Sequence, residues 1–228
     1  MENRKHTSLK DLAQALGVSI PTVSRALKDS PEISRELCAK AKALAKEMNY
    51  RPNPFAMSLR KNAPRIIGVI VPDIVTHFFA SILNGIENMA IANGYFVIIT
   101  TSHESYEHEK RNIENLVNMR VEGIIACLSQ ETTDFSHISA LKDINMPLIL
   151  FDRVCLTDQF SSVIADGAQS AQMATQHLLD NGSKRVAFIG GANHLDIVKR
   201  RKHGYLEALR ENRIPIEKEL VVCRKIDY

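Results

Sequence analysis

No run of about 18 apolar residues occurs in the 228-residue chain, which excludes a membrane-spanning helix. The first residues, Met1-Glu2-Asn3-Arg4-Lys5, lead into a polar segment and not into an apolar stretch, so no secretory signal is expected. Cysteine is sparse: Cys38, Cys127, Cys155 and Cys223 form no C-x-x-C pair and none sits beside histidine at zinc spacing. Reduced thiols in a cytoplasmic protein are the expectation, with neither a disulfide framework nor a metal site. The signatures of catalysis are missing too. Gly190-Gly191 follows a strand-like run but lacks G-x-G-x-x-G, and there is no phosphate-binding G-x-x-x-x-G-K-[ST], no G-x-S-x-G and no H-E-x-x-H. His103 with Glu107, and Glu104 with His108, stand four apart. They read as a solvated helix face, the alternative being a fortuitous surface metal site. No enzyme, no cofactor and no metal are expected.

An excess of one charge is also absent overall, but not locally. The net charge of +3 divides into 12 Lys+Arg against 6 Asp+Glu in residues 1–62, and 17 against 20 in the remainder. A basic head on a mildly acidic body suits a nucleic-acid-binding module joined to something else. A membrane-surface head or a solvated face would show the same imbalance. With 45% hydrophobic and 24% charged residues the chain has ordinary globular composition, and its length allows one to two domains. No internal repeat or low-complexity segment is visible.

Residues 8–16 read SLKDLAQAL. Leu9, Leu12, Ala13 and Leu16 fall at i, i+3, i+4, i+7 and make one helical face. Ser8 and Asp11 have the spacing of a capping box, and Gly17 supplies a cheap left-handed stop. Ser19 caps a second helix from Ile20, with Pro21 in its first turn, where a missing N–H costs little. Val23 and Leu27 point back to the first helix. Ile20, Thr22, Ser24, Arg25 and Lys28 are left on other faces. A third helix, capped by Ser34 after a Pro31-Glu32 turn, carries the stripe Leu37, Ala41, Leu44, Ala45, Met48. Two short helices joined by a Gly-containing turn have helix-turn-helix geometry, in which the second helix enters the major groove. The bland alternative is a small three-helix bundle with a polar face.

Residues 51–62 read RPNPFAMSLRKN. Asn53 can cap a short helix and Pro54 can start it, with Phe55, Ala56 and Leu59 as an apolar edge. Two turns are marginal in water, so a plain flexible linker is the other reading.

From Arg65 strand-like runs alternate with helical patterns: RIIGVIV (65–71), a helix from about Phe79 to Asn93, YFVIIT (95–100), a charged amphipathic helix over 104–119, GIIACL (123–128), PLILF (147–151), SVIAD (162–166), a helix over 168–181, RVAFIG (185–190) and LVVC (220–223). Buried strands alternating with helices predict parallel α/β sheets. Ligands in such sheets bind beyond the carboxyl ends of the strands. Here those ends bring Pro72-Asp73-Ile74 with His77-Phe78-Phe79, then Phe151-Asp152-Arg153.

The run T-S-L-K-D-L-A-Q-A-L-G-V-S-x-x-T-V-S-R-A-L, followed by N-Y-R-P-N-P-F-A-M-S-L-R, closely resembles the LacI/GalR repressor family. The resemblance implies an all-α three-helix head over residues 1–50, a hinge over 51–63, and a core like that of periplasmic sugar-binding proteins, with one lobe at 64–163 and part of a second at 164–228. It implies that Arg25 reads a base, that Ile20 and Pro21 set operator preference, and that Thr22, Ser24 and Tyr50 meet phosphates. Pro21 departs from the polar residue usual there, which favours contact with a thymine methyl. In such repressors the hinge folds on the operator and two copies insert a leucine into the minor groove, here Leu59 beside Ala56. Ser8, Ser19, Ile20, Pro21, Thr22, Ser24, Arg25, Tyr50, Asn53, Ala56 and Leu59 are the expected DNA-binding set.

The resemblance also implies an effector bound between the lobes by an aromatic, an F-D-R aspartate and an R-x-x-G arginine. Phe78, Phe79, Asp152, Arg153 and Arg201 are the matching residues. Phe78 and Phe79 as core, Asp152–Arg153 as a structural ion pair, and 199–202 as a solvated basic turn are the competing readings. Family members are longer than 228 residues, so the second lobe is expected to be incomplete, with exposed apolar edges. The expected protein is a cytoplasmic, dimeric regulator of double-stranded operator DNA, answering to a small-molecule effector of sugar type and without a membrane partner. A member that binds DNA but senses nothing, or a sugar-binding protein without regulatory activity, are the alternatives.

Overall fold

A computed structural model of the chain describes residues 7–50 and 65–224. The expected hinge, with Asn53, Ala56 and Leu59, lies outside the described residues. The chain divides into two compact units, Met1–Asn62 and Ala63–Tyr228. Among the described residues no helix is long and apolar enough to cross a membrane.

In the first unit, α1 (Leu9–Leu16) starts at a reciprocal capping box. Ser8 Oγ accepts from Asp11 N at 3.3 Å, while Ser8 N donates to Asp11 Oδ2 at 2.8 Å. It stops at Gly17, whose φ of +64° needs no side chain. The second helix, α2 (Ile20–Ala26), is capped by Ser19 Oγ, which accepts from Thr22 N, and carries proline in its first turn. The third, α3 (Arg35–Glu47), is capped by Ser34. Leu12, Ala13, Val23 and Ala45 close one small core, and Ala26, Cys38 and Ala41 a second. The stripe anticipated on α3 is therefore displaced toward Cys38: Leu37, Leu44 and Met48 are only partly buried. A third helix in contact with two others presents a wider buried face than one stripe.

The second unit holds a five-stranded, all-parallel sheet in the order β2-β1-β3-β4-β5. Its strands are β1 (Ile66–Val71), β2 (Phe96–Thr101), β3 (Gly123–Ala126), β4 (Leu148–Phe151) and β5 (Ser161–Val163). Between them run α4 (His77–Ala92), α5 (Tyr106–Asn118) and α6 (Ser136–Asp143). On one face Ile70, Ile124 and Leu150 pack with Leu116 of α5 and Ile138 of α6. On the other, Val69, Val71, Cys127 and Phe151 pack with Phe79 of α4. Alternating residues thus reach opposite faces, and burial on both explains the unbroken apolar run of the central β1, whereas the edge strand β2 leaves Phe96 and Ile99 exposed.

A second, two-stranded parallel sheet joins β6 (Phe188–Gly190) and β7 (Val221–Cys223). Against it pack α7 (Gly167–Asp180) and α8 (Asp196–Glu211), through Val186, Tyr205 and Leu209. Two expectations are corrected here. The basic run at 199–202 lies in the first half of the 16-residue helix α8 and is not a turn, because Val198, Tyr205, Ala208 and Leu209 give that segment an apolar face at helical spacing. And His103 and Glu104 precede α5, with φ of +50° and +60°, so they do not share a helix face with Glu107 and His108.

Candidate DNA-binding helix and effector cleft

The head presents one helix outward. Val23 and Ala26 of α2 are fully buried, while Ile20 is 42% exposed, and Pro21 and Arg25 are exposed beside it. The Arg25 guanidinium lies 2.9 Å from Glu32 Oε2. Thr22 is half-buried, and its hydroxyl and that of Ser19 are 2.8 Å apart. Ser24 differs from expectation: it is buried, because α2 is packed against both α1 and α3 and loses two sides instead of one. Tyr50 is half-buried at the edge of the core, where burial raises its phenol above the usual range. Ser8 serves the α1 cap through both its backbone N–H and its hydroxyl, which donates to Asp11 at 2.7 Å.

In the second unit the polar residues collect where parallel strands end. Strand order reverses between β1 and β3, which is where open α/β sheets make a crevice. After β2 comes Glu104, after β3 Ser129 and Gln130, after β4 Asp152 and Arg153. Arg153 and Glu104 form a two-pronged pair, Nη1–Oε2 at 2.6 Å and Nη2–Oε1 at 3.0 Å, and Arg153 also donates to the Leu128 carbonyl at 3.3 Å. Burial works against the Arg153 charge, yet the hydrogen bonds to Glu104 hold its pKa above the usual arginine range. Glu104 Oε2 also accepts from Gln130 N at 2.6 Å. Burial pushes the Asp152 carboxyl upward, against the pull of Arg153 and Arg201.

The second lobe meets this edge. His194, beyond β6, hydrogen-bonds the Gln130 carbonyl through Nε2 at 2.8 Å. Arg201 of α8 runs over Gly167 at the start of α7: a Cβ on Gly167 would lie 3.3 Å from Arg201 Cγ. One turn on, a Cβ on Gly204 would lie 1.9 Å from the Ala168 carbonyl oxygen. Only glycine lets the two helices cross so closely. The two aromatics part company. Phe79 is buried, with ring centroids 5.2 Å from Phe78 and 6.4 Å from Phe151, and belongs to the packing. Phe78 is 50% exposed. An apolar hollow of about 660 Å³, lined by Ile67, Ile82, Ile86 and Met89 among others, lies between α4 and the sheet, away from these polar groups.

Sequence reasoning missed Glu104 as the partner of Arg153, although its place after a strand end was a usable signal. It also missed Glu109. This carboxylate is fully buried and accepts from Ser129 N at 2.5 Å, from Thr132 Oγ1 at 2.9 Å and from His137 at 2.8 Å. It anchors the loop that carries Gln130. Its signal was its position on the helix, four residues before the buried Ile113 and seven before Leu116. No feature of the sequence nominated His194. Among the described residues no group of three or more acidic, histidine or cysteine side chains could hold a metal ion.

A three-helix head with one outward helix, joined to two parallel α/β layers whose strand ends face each other, defines a periplasmic-binding-protein-like core with a helix-turn-helix. Residues 8–53 match the family model for bacterial regulatory proteins of the lacI family, and residues 65–227 that for periplasmic binding proteins and the sugar binding domain of the LacI family. The chain belongs to the LacI family. It is 32% identical to catabolite control protein A of Priestia megaterium, over 95% of this chain and 65% of that protein. It is 31% identical to the ribose operon repressor of Bacillus subtilis (strain 168), over 92% and 62% respectively. The chain therefore spans under two thirds of the length of these curated relatives. Of solved structures, the lac repressor dimer bound to operator and the anti-inducer ONPF matches with a TM-score of 0.73 at 25% identity, covering 96% of this chain and 66% of that one. The transcription regulator CcpA of Lactococcus lactis matches with a TM-score of 0.66 at 29% identity, covering 72% and 59%.

Proposed function

We propose that the chain is a transcription regulator, acting as a repressor, that binds a twofold-symmetric duplex operator as a dimer and answers to a sugar or related small molecule. The observation that carries the reading is the exposed face of α2, where Ile20, Pro21 and Arg25 stand outward while Val23 and Ala26 hold the helix to the head. A helix so held presents its first turns to base edges in the major groove. Arg25 supplies the bidentate donor suited to guanine, and Ile20 with Pro21 an apolar surface suited to a thymine methyl. The similar lac repressor is a dimer bound to operator in its solved structure, which supports the twofold reading. Leu59 as the minor-groove wedge rests on the family resemblance alone.

For the effector, the supporting features are Phe78, the Asp152 carboxylate, and Arg153 and Arg201 on the two sides of the crevice. Carboxylate and guanidinium groups pair with hydroxyls, and an aromatic face suits a sugar ring. An effector that prefers one arrangement of the lobes would shift the population able to grip DNA. The test is selection of random duplexes by the purified chain, with light scattering on the same sample. Recovery of a palindrome by a dimer supports the reading. Salt-sensitive binding by a monomer, with no sequence preference, overturns the operator and dimer parts of it.

A further inference from the structure

We propose that Glu32 is a specificity-determining residue of the head: its carboxylate competes with DNA phosphates for the Arg25 guanidinium and yields it more readily to a base edge with two acceptors. The inference rests on the DNA-binding reading above. Arg25 Nη1 lies 2.9 Å from Glu32 Oε2, with both side chains more than half exposed.

The placement of Glu32 is fixed by the backbone around it and not by the ion pair. The chain after α2 folds back on the helix, with Lys28 N and Ser30 N both donating to the Arg25 carbonyl at 3.1 Å. Asp29 takes a left-handed φ of +54° and its carboxylate grips Lys42 of α3 at 2.5 and 2.7 Å. Beyond Glu32, Ile33 packs with the cluster of Ala26, Cys38 and Ala41. The loop is thus tied on both sides, and Pro31 stiffens the step between. The Glu32 side chain thus projects from a loop whose backbone is held, and its carboxylate stands beside the arginine assigned to the bases.

The physical consequence follows from the difference between phosphates and bases. On arbitrary DNA, Arg25 would contribute as one cation among many, by counterion release. Leaving Glu32 cancels part of that gain, and the carboxylate itself repels the backbone. At guanine the fork recovers two aligned hydrogen bonds in a site that excludes water, which outweighs an exposed ion pair. Glu32 therefore subtracts more from non-specific than from specific binding.

The experiment uses the full chain in four forms: unaltered, Glu32→Gln, Arg25→Ala and the double variant. Each is titrated by fluorescence anisotropy against a random-sequence duplex and against the duplex recovered by selection with the unaltered chain. Glu32→Gln is expected to tighten random-duplex binding by roughly two- to five-fold, to tighten the selected duplex less, and to leave the double variant equal to Arg25→Ala. The gain should shrink as salt is raised. No gain, an equal gain on both duplexes, or a gain that survives in the Arg25→Ala background overturns the proposal. An unaltered chain that binds no DNA would instead overturn the DNA-binding reading itself. Because both side chains are exposed, an unchanged thermal midpoint verifies that the variants are folded.

Discussion

Two kinds of charged side chain stand apart at the scale of the residue. Exposed Arg25 is proposed to act on a partner, so its loss is to be read in binding: Arg25→Ala should cost ~1–3 kcal/mol of affinity for a selected duplex, and relaxed preference at one base position in a repeated selection would confirm base readout. Buried Glu109 acts on the fold. Replacing it by alanine strands the Ser129 N–H, the Thr132 hydroxyl and His137 without their common acceptor. A loss of about 3–5 kcal/mol in urea unfolding is expected. The thiols of Cys127 and Cys155 are pushed up from 9.0 to about 12, each by burial first. A raised folded pKa means the folded chain keeps its proton while the unfolded chain ionises. The stability these thiols contribute is complete below about pH 9 and is lost as pH rises toward about 12. Urea midpoints measured across that range should fall, and less steeply for a Cys127→Ala variant than for the parent.

Between elements, the crossing of α7 and α8 is the tightest constraint. Gly204→Ala places a methyl group where the Ala168 carbonyl now sits, so the helices must separate. A destabilisation of ~1–3 kcal/mol or more is expected by thermal or urea unfolding. The helices of the head show how much of an element sequence can specify. Ser8 with Asp11, Gly17, and Ser19 with Pro21 mark boundaries that the structure reproduces at Leu9–Leu16 and from Ile20, because caps and stops are local chemistry. Helix α8 was harder to read: its apolar positions Val198, Tyr205, Ala208 and Leu209 keep helical spacing, but they are sparse beside the basic run and settle as a buried face only against α7 and β6. Ser24 was misread for a related reason, since burial on two sides of α2 depends on where α3 lies.

At the scale of the whole molecule, the crevice is assembled from loops far apart in sequence. Arg153 finds Glu104, and Gln130 finds His194, 64 residues away. If a sugar binds there, a screen of sugars by thermal shift should find one that raises the midpoint of the chain, as any ligand selective for the folded state must. Arg201→Ala should remove that shift, whereas Phe79→Leu, a substitution in the packing, should lower the baseline and keep it. A shift retained by Arg201→Ala would take Arg201 out of the site.

Sequence by itself determined the elements whose causes lie within a few residues. These are the capped helices of the head, the parallel strands announced by unbroken apolar runs, and the family resemblance carried by the first sixty residues. It also nominated Asp152 and Arg153, because strand ends in α/β sheets are predictable places for a site, while Arg201 was nominated by the family resemblance alone. Only the tertiary structure decided which aromatic was free and which was packing. It alone paired Arg153 with Glu104 and Arg25 with Glu32, and it turned Glu109 inward. The physical reason is that burial and ion pairing depend on distances across the fold, which local spacing does not encode.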